Sequence, residues 1–281
     1  MTPSAVVVAA DLDRTLIYSP SALLLDLPDA QAPRLLCVEL YRGSPLSFMT
    51  ERAADALERL ARIAALVPTT TRTPEQLARV HLPGPPAPFA IASNGGHLIV
   101  DGVEDRDWTA HVRRVVTGGA TLAEVHAHLQ AVAPAVGNGG FVHTLREASD
   151  LFVYAVVERA DVPDGWLDEL TAWCLDRGWL TSMQGRKVYC VPGPLTKSAA
   201  AREVVRRVGG SRWIAAGDSL LDGELLAAAD EAVRPAHGEL DATGFSVPHL
   251  HVTATSGVLA GQELTEWLLA RASSDVLIAS G

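Results

Sequence analysis

The sequence predicts an α/β fold in which a doubly wound, Rossmann-like parallel sheet is interrupted by a segment of α+β character. Strand and helix patterns alternate in residues 1–96 and again in residues 189–281, and this alternation is typical of parallel sheets covered by helices. Residues 97–188 instead contain neighbouring strand patterns that suit hairpins. We therefore predict a core built from both flanks and an α+β domain inserted between them.

Each flank contains short apolar runs separated by helical patterns. Residues 5–10 form a continuous Val/Ala run that predicts a central parallel strand buried on both faces. Residues 50–65 have helical periodicity, with Thr50 as a candidate N-cap. The other predicted strands of the flanks are 66–70, 89–93, 213–216, 232–233 and 251–252, and the other predicted helices are 196–208, 219–229 and 261–270.

The middle segment has a different order of elements. Its predicted helices are 109–116, 122–132 and 165–177, and its predicted strands are 97–100, stretches of 142–157, 179–183 and 187–191. A further pair of strands is predicted in residues 35–48, around a turn at 42–45. The pair is either a flap over a site or an ordinary surface hairpin.

Composition and charge exclude several classes of function. The chain has 281 residues, a hydrophobic fraction of 48% and a formal net charge of -10, so it can bury a sizeable core. The acidic balance disfavours general nucleic-acid binding, which requires a positive surface. Because the sequence lacks an apolar run of about 18 residues, we expect no membrane span.

Cysteine usage predicts a reducing compartment. Cys37, Cys174 and Cys190 are odd in number and lack metal-ligand spacing, so we expect no disulfide framework and a cytoplasmic location. The N-terminal apolar run is not preceded by a basic region, and we interpret it as a buried strand rather than a signal peptide.

Two carboxylates follow the first predicted strand. Ligand sites in open α/β sheets lie at the carboxyl ends of the strands, where Asp11 and Asp13 are expected. An ionised Asp11 could attack phosphorus, and a protonated Asp13 could donate a proton to the leaving oxygen. The alternative interpretation of these residues is an Asx turn or a helix N-cap.

Three further groups of polar residues lie beside predicted core elements. Asp218 and Asp222 have the i, i+4 spacing that places both at one helix start, where they suit Mg²⁺ or simply favour the helix dipole. Thr70-Thr71-Arg72 follows a strand and either holds phosphate oxygens or forms a polar loop. Lys197 is electrostatically misplaced in a first helical turn, which indicates a bound anion unless the side chain is solvated.

Four features follow one another along the chain: the DxDxT motif, the threonine-bearing strand end, the lysine and the GDxxxD motif. Their order resembles that of the motifs of the haloacid dehalogenase-like (HAD) hydrolase superfamily. The stretch IASNGGHLIVDG at residues 91–102 resembles the entry into the type-two cap of the Cof-like, sucrose-phosphatase-like subgroup. The resemblance implies a catalytic core of residues 1–96 and 189–281, a cap domain of residues 97–188, and Mg²⁺ as cofactor.

The resemblance also implies roles for the motif residues. Asp11 matches the nucleophile that forms an aspartyl-phosphate, Asp13 the general acid/base, and Lys197 the cation that steadies nucleophile and phosphate. The groups that hold the metal in the family are matched here by Asp11, the backbone carbonyl of Asp13, Asp218 and Asp222.

The residues implied to bind substrate are Thr70, Thr71 and Arg72, with the Thr70 hydroxyl on the transferring phosphoryl group. The sequence departs from the usual family pattern at three positions. Arg14 and Thr71 stand where glycine is common, and Leu221 stands where asparagine is common. None of these departures removes a charged catalytic group.

The function implied is a Mg²⁺-dependent phosphatase acting on a small phosphomonoester such as a sugar phosphate, with neither nucleic acid nor membrane as partner. A phosphomutase and a non-catalytic scaffold that binds a phosphorylated ligand are the alternatives. The cap is expected to open and close and to choose the substrate, and its candidate contact residues are Arg146, Glu147 and Arg186. We expect His111, His126 and His128 to be ordinary residues, because they lack HxxxH spacing.

Overall fold

The computed structural model describes residues 6–136 and 139–278, which divide into two compact units. The core unit comprises the chain up to residue 105 and from residue 197 onward, and the inserted unit comprises residues 106–196. The core unit begins with β1 (Val6–Asp11), β2 (Leu35–Tyr41), β3 (Ser44–Thr50), α1 (Glu51–Ile63), β4 (Ala65–Thr69), α2 (Pro74–Leu77), β5 (Phe89–Ala92), β6 (His97–Val100) and β7 (Val103–Glu104).

The inserted unit and the second part of the core unit complete the chain. The inserted unit contains α3 (Arg106–Val115), α4 (Leu122–Val132), β8 (Val142–Ala148), β9 (Phe152–Val157), α5 (Trp166–Leu175), β10 (Trp179–Gln184) and β11 (Lys187–Pro192). The core unit resumes with α6 (Lys197–Val208), β12 (Arg212–Ala216), α7 (Gly223–Ala228), β13 (Glu231–Arg234), α8 (Glu239–Ala242), β14 (Leu250–Val252) and α9 (Gly257–Ile278).

The core unit is built on a mixed sheet with the strand order β14-β13-β12-β1-β4-β5-β6-β7. Strands β14 to β5 are parallel, and β6 and β7 extend the edge in antiparallel pairing. All side chains of β1 are buried, which requires a layer on each face because successive residues point to opposite sides. This architecture confirms the predicted α/β fold with a doubly wound parallel core.

Strand β6 lies in the core sheet, although the sequence interpretation assigned residues 97–188 to the inserted domain. After β5 the chain turns through Ser93 and Asn94, both with positive φ, and β6 returns antiparallel beside β5. At the other boundary, β11 continues to Pro192 as a strand of the inserted sheet. The units therefore divide at residues 105/106 and 196/197 rather than at 96/97 and 188/189.

The inserted unit contains an antiparallel sheet with the strand order β10-β11-β9-β8. Helices α4 and α5 pack against β9 and β10. Two indoles connect parts of this unit: Trp166 Nε1 at the start of α5 donates to the Val132 carbonyl at the end of α4, and Trp179 Nε1 donates to the Ala120 carbonyl. This α+β arrangement confirms the predicted character of the insertion.

None of the helices described in residues 6–136 and 139–278 combines the length and the apolar character that a membrane crossing needs.

The N-terminus of α1 is capped as the sequence predicts. Thr50 is 1% exposed, and its hydroxyl accepts the Ala53 amide hydrogen at 3.0 Å. The same hydroxyl donates to Gln262 Oε1 on α9, also at 3.0 Å. The cap therefore fixes both the start of α1 and its packing against α9.

Replacing Thr50 by alanine removes both hydrogen bonds. We expect Thr50→Ala to lower the free energy of unfolding by about 1–2 kcal/mol. The measurement is urea unfolding followed by circular dichroism, with Thr50→Ser, which keeps the hydroxyl, as the matched control. An unchanged midpoint in Thr50→Ala would contradict this role of the cap.

Candidate active site

The register of the central strands gathers the predicted motifs at one edge of the sheet. Asp11, the last residue of β1, is paired with Thr69 of β4, and Ala10 is paired with Ala216 of β12. Because all three strands are parallel, their carboxyl ends meet at this edge. The DxDxT, threonine and GDxxxD motifs therefore follow adjacent strands.

Lys197 links the two acidic motifs. Its ammonium nitrogen lies 2.5 Å from Asp11 Oδ1 and 2.6 Å from Asp222 Oδ1, and its residue is 0% exposed. Burial alone would lower the pKa of Lys197, but the two carboxylates outweigh burial and raise it. Lys197 is therefore a buried, charged residue, and not the solvated surface lysine of the alternative interpretation.

Three carboxylates form a compact buried group. Asp11, Asp218 and Asp222 each offer an oxygen within 4.8 Å of the others. Burial raises the pKa of Asp11 to about 7, and burial together with the neighbouring carboxylates raises that of Asp218 well above its usual range. The group is short of positive charge despite Lys197, and its oxygen donors suit a small hard divalent cation.

Local backbone contacts hold Asp218 and Asp222 in this group. The Ser219 amide and hydroxyl donate to Asp222 Oδ2, so the chain forms a 3₁₀ turn at Leu220–Asp222 before α7, where the sequence predicted one continuous helix. A Cβ at Gly217 would lie 2.4 Å from Asp222 Cβ. A Cβ at Gly238, where φ is +92°, would lie 2.5 Å from the Asp218 carbonyl oxygen. Only glycine fits at either position.

Asp13 is held by Arg72. The Arg72 Nε and Nη2 atoms donate to Asp13 Oδ2 and Oδ1, each at 2.7 Å, in a bidentate pair. The third nitrogen, Nη1, lies 2.8 Å from Glu39 Oε2. Arg72 thus forms an ion pair with the predicted general acid/base in this structure. The sequence interpretation assigned Arg72 to substrate binding.

Glu39 is a functional candidate that the sequence interpretation missed. It lies on β2, it is 1% exposed, and it accepts a hydrogen bond from Ser47 Oγ at 2.6 Å and from Arg79 Nε at 3.2 Å. The available signal was one carboxylate within the apolar run of residues 35–41. Through Glu39 and Ser47, the β2–β3 hairpin is part of the polar network around Asp13.

Thr70 and Thr71 lie at the end of β4. Thr70 is 0% exposed, and its hydroxyl oxygen accepts the Arg72 amide hydrogen at 3.1 Å. A hydroxyl that accepts one bond can still donate its own hydrogen, as phosphate binding requires. Thr71 is also buried. The position of Thr70 is compatible with its predicted role.

Arg14 and His237 support the turn that follows Asp13. Arg14 has a φ of 66°; its amide donates to the Ile17 carbonyl, and its own carbonyl accepts from His237 Nε2 at 2.8 Å. The other ring nitrogen, His237 Nδ1, accepts the Gly257 amide hydrogen. The Arg14 guanidinium lies 3.2 Å from Asp218 Oδ2. Neither residue was assigned a role from the sequence.

The predicted cap residues lie in the inserted unit, where Arg146, Glu147 and Arg186 are exposed. Glu147 is 3.6 Å from His126, and the ring of His128 stacks on Trp173. His111 lies against Trp108.

Comparison with solved structures identifies the fold of the chain. No protein-family model and no curated protein matches the sequence. The structure matches a sucrose-phosphatase from Synechocystis sp. PCC6803, solved in complex with sucrose and phosphate, with a TM-score of 0.59 and 14% identity over 96% of this chain and 98% of that chain. The chain has the haloacid dehalogenase-like (HAD) fold.

Two other solved structures agree with this assignment of the fold. The C-terminal domain of a C. albicans trehalose-6-phosphate phosphatase matches with a TM-score of 0.56 and 10% identity, covering 95% of this chain and 93% of that chain. A HAD subclass IIB sugar phosphatase matches with a TM-score of 0.52 and 12% identity, covering 94% and 99%. The HAD resemblance predicted from the motifs is confirmed at the level of the fold.

The buried His237 predicts a loss of stability in acid. Mainly through burial, its pKa falls from 6.5 to about 4 in the folded protein. As the pH falls from about 6.5 to about 4, the unfolded chain binds a proton that the folded chain does not, so the free energy of unfolding decreases. We expect this residue to contribute a loss of about 2 kcal/mol at pH 5 relative to neutral pH.

The measurement is urea unfolding of the wild type and of His237→Gln, each at about pH 7.5 and at about pH 5. Glutamine can still donate to the Arg14 carbonyl but does not titrate, so the variant should lose less stability in acid. Identical pH dependence of the two proteins would contradict the buried, neutral state of His237.

Proposed function

We propose that this protein is a Mg²⁺-dependent phosphatase that hydrolyses a small phosphomonoester, a sugar phosphate or a related metabolite, through an aspartyl-phosphate intermediate. The observation that carries the proposal is the buried Lys197, which contacts Asp11 and Asp222 beside Asp218. A binding site alone does not require a carboxylate held as a nucleophile next to a second carboxylate held as an acid/base.

Asp11 is the nucleophile of the proposed reaction. Lys197 fixes its Oδ1 atom, so one carboxylate oxygen is oriented while the other attacks phosphorus. The bond from phosphorus to the leaving oxygen breaks as the bond to Asp11 forms, and Asp13 donates a proton to that oxygen. Thr70 and Lys197 stabilise the transferring phosphoryl group through their hydroxyl and ammonium groups.

Asp13 then acts as a base. It takes a proton from the water that attacks the phosphorus of the aspartyl-phosphate, which releases phosphate and restores Asp11. The bidentate pair with Arg72 holds the carboxyl group of Asp13 in one orientation.

A magnesium ion would offset the charge of the phosphate oxygens in both steps. Asp11, Asp218, Asp222 and the Asp13 backbone carbonyl are the groups that would hold it, as the carboxylate cluster suggests.

We propose that the inserted unit is a cap domain that binds and selects the leaving group. The hydroxyls of Thr181 and Thr171 are hydrogen-bonded, so Thr181 lies on the face of the inserted sheet that packs against α5. The neighbouring Ser182 therefore points to the opposite face. Ser182, Tyr189, Tyr154 and Arg146 are paired in one row across this face, with 5.6 Å between the two tyrosine rings. Aromatic and polar groups in one row suit a polyol, and sugar phosphatases are among the similar structures.

A cytoplasmic location and the lack of a nucleic-acid partner belong to the same proposal. The three cysteines are free thiols, as a reducing compartment would keep them. The net charge of -10 is unfavourable for binding a polyanion.

The covalent mechanism predicts the effect of Asp11→Asn. We expect turnover to fall by at least about 10³-fold with the fold intact, because an amide is a poor nucleophile of similar shape. Phosphate release is measured across sugar phosphates, nucleotides and phosphoglycerates, beside thermal unfolding. Asp55→Asn, an exposed substitution of the same kind on α1, is the matched control. Substantial activity in folded Asp11→Asn would exclude the aspartyl-phosphate.

Removal of the metal should abolish the same activity. We expect excess chelator to stop phosphate release and added Mg²⁺ to restore it, because the three buried carboxylates leave the site too acidic to hold phosphate alone. Full activity in protein that elemental analysis shows to be free of divalent metal would refute the proposed cofactor. Transfer of phosphoryl to an acceptor sugar instead of water would indicate a mutase.

A further inference from the structure

We propose that Arg14 limits the affinity of the carboxylate cluster for a divalent cation, and that a bound phosphate group relieves this limit. The inference rests on the metal site of the proposed function and concerns a residue to which that function assigns no role. It starts from the ion pair between Arg14 Nε and Asp218 Oδ2, which are 3.2 Å apart.

The backbone fixes the point from which the Arg14 side chain extends. Residue 14 is held at a φ of 66° by the Ile17 carbonyl on one side and by His237 Nε2 on the other. Its side chain is 27% exposed, whereas that of Asp218 is 3% exposed. The guanidinium of Arg14 therefore has access to solvent, whereas the carboxylate of Asp218 is buried.

Asp218 has little freedom to offer its oxygens differently. Gly238 packs against it so closely that a Cβ there would lie 2.6 Å from Oδ2, the same oxygen that Arg14 contacts. The Asp218 carbonyl accepts the Leu240 amide hydrogen. A cation that binds Asp218 must therefore compete with Arg14 or share the carboxylate with it.

Charge strengthens this competition. Asp11, Asp218 and Asp222 carry three negative charges when ionised, and Lys197 and Arg14 carry two positive charges. With Arg14 in place, a divalent ion would leave the group with a net positive charge; without Arg14, the ion would leave it neutral. The positive charge of Arg14 close to the ion thus weakens binding of the ion in a buried site, where charge is poorly screened.

A phosphate group at the Asp11 edge reverses the balance. Its oxygens offer Arg14 a partner of high charge and suitable geometry, which draws the guanidinium from Asp218 and frees Oδ2. Metal and phosphate then bind more tightly together than separately, and by linkage each must strengthen the other by the same factor. The free protein would hold its metal weakly until an ester arrives.

The test is calorimetric titration of Mn²⁺ alone, and Mn²⁺ with inorganic phosphate, into the wild type and Arg14→Gln. Glutamine removes the charge and keeps a side chain at the same φ; Arg14→Gly, which suits positive φ, guards against misfolding. Arg42→Gln is the matched control, because Arg42 is an exposed arginine with a φ of 52° at the β2–β3 turn.

We expect both Arg14 variants to bind Mn²⁺ at least about tenfold more tightly than the wild type and Arg42→Gln. Phosphate should tighten Mn²⁺ binding to the wild type by a larger factor than to Arg14→Gln. Equal Mn²⁺ affinity in all four proteins would overturn the role of Arg14, and an equal effect of phosphate would overturn the coupling. If Mn²⁺ bound to none of the proteins, the metal site of the proposed function would itself be refuted, and this inference with it.

Discussion

The ammonium group of Lys197 is the interaction on which the rest of the site depends. It is the cation that lies between Asp11 and Asp222, and all three residues are buried. Removing one partner of such a group leaves a buried charge without compensation, which is far more costly than the net gain from forming the pair. The lysine begins α6 directly after the inserted unit, so the insertion ends at the residue that joins Asp11 to Asp222.

Around this centre, the site is arranged as two charged networks. One contains the three carboxylates with Lys197 and Arg14, and the other joins Asp13 to Arg72 and Glu39. The first has an excess of negative charge that suits a cation, and the second is a chain of ion pairs that fixes the orientation of Asp13. Asp11 and Asp13, the proposed nucleophile and acid/base, are thereby kept in different electrostatic environments although they are two residues apart.

The parallel core, and the position of the motif residues at the ends of its strands, could be predicted because they depend on local patterns. The buried β1, the capped α1 and the motifs at strand ends are each encoded within a few residues. The placement of β6 and the partners of Arg72 could not be predicted, because they depend on pairing between distant segments. Glu39 belongs to the same class, since a carboxylate in a strand pattern gives no indication of which arginine it will meet.

The order of the chain has a consequence for biosynthesis. Strand β1 is paired with both β4 and β12. The ribosome releases β1 and β4 long before β12, and with them the nearby residues Asp11, Asp13, Glu39 and Arg72. Until α6 and β12 follow the insertion, the nascent core has an exposed strand edge at β1, and Asp11 has no counter-cation. Such long-range closure is slow relative to local folding. The inserted unit is therefore synthesised while the core sheet still lacks β12, and the pairing of β1 on that side forms only after the insertion is complete.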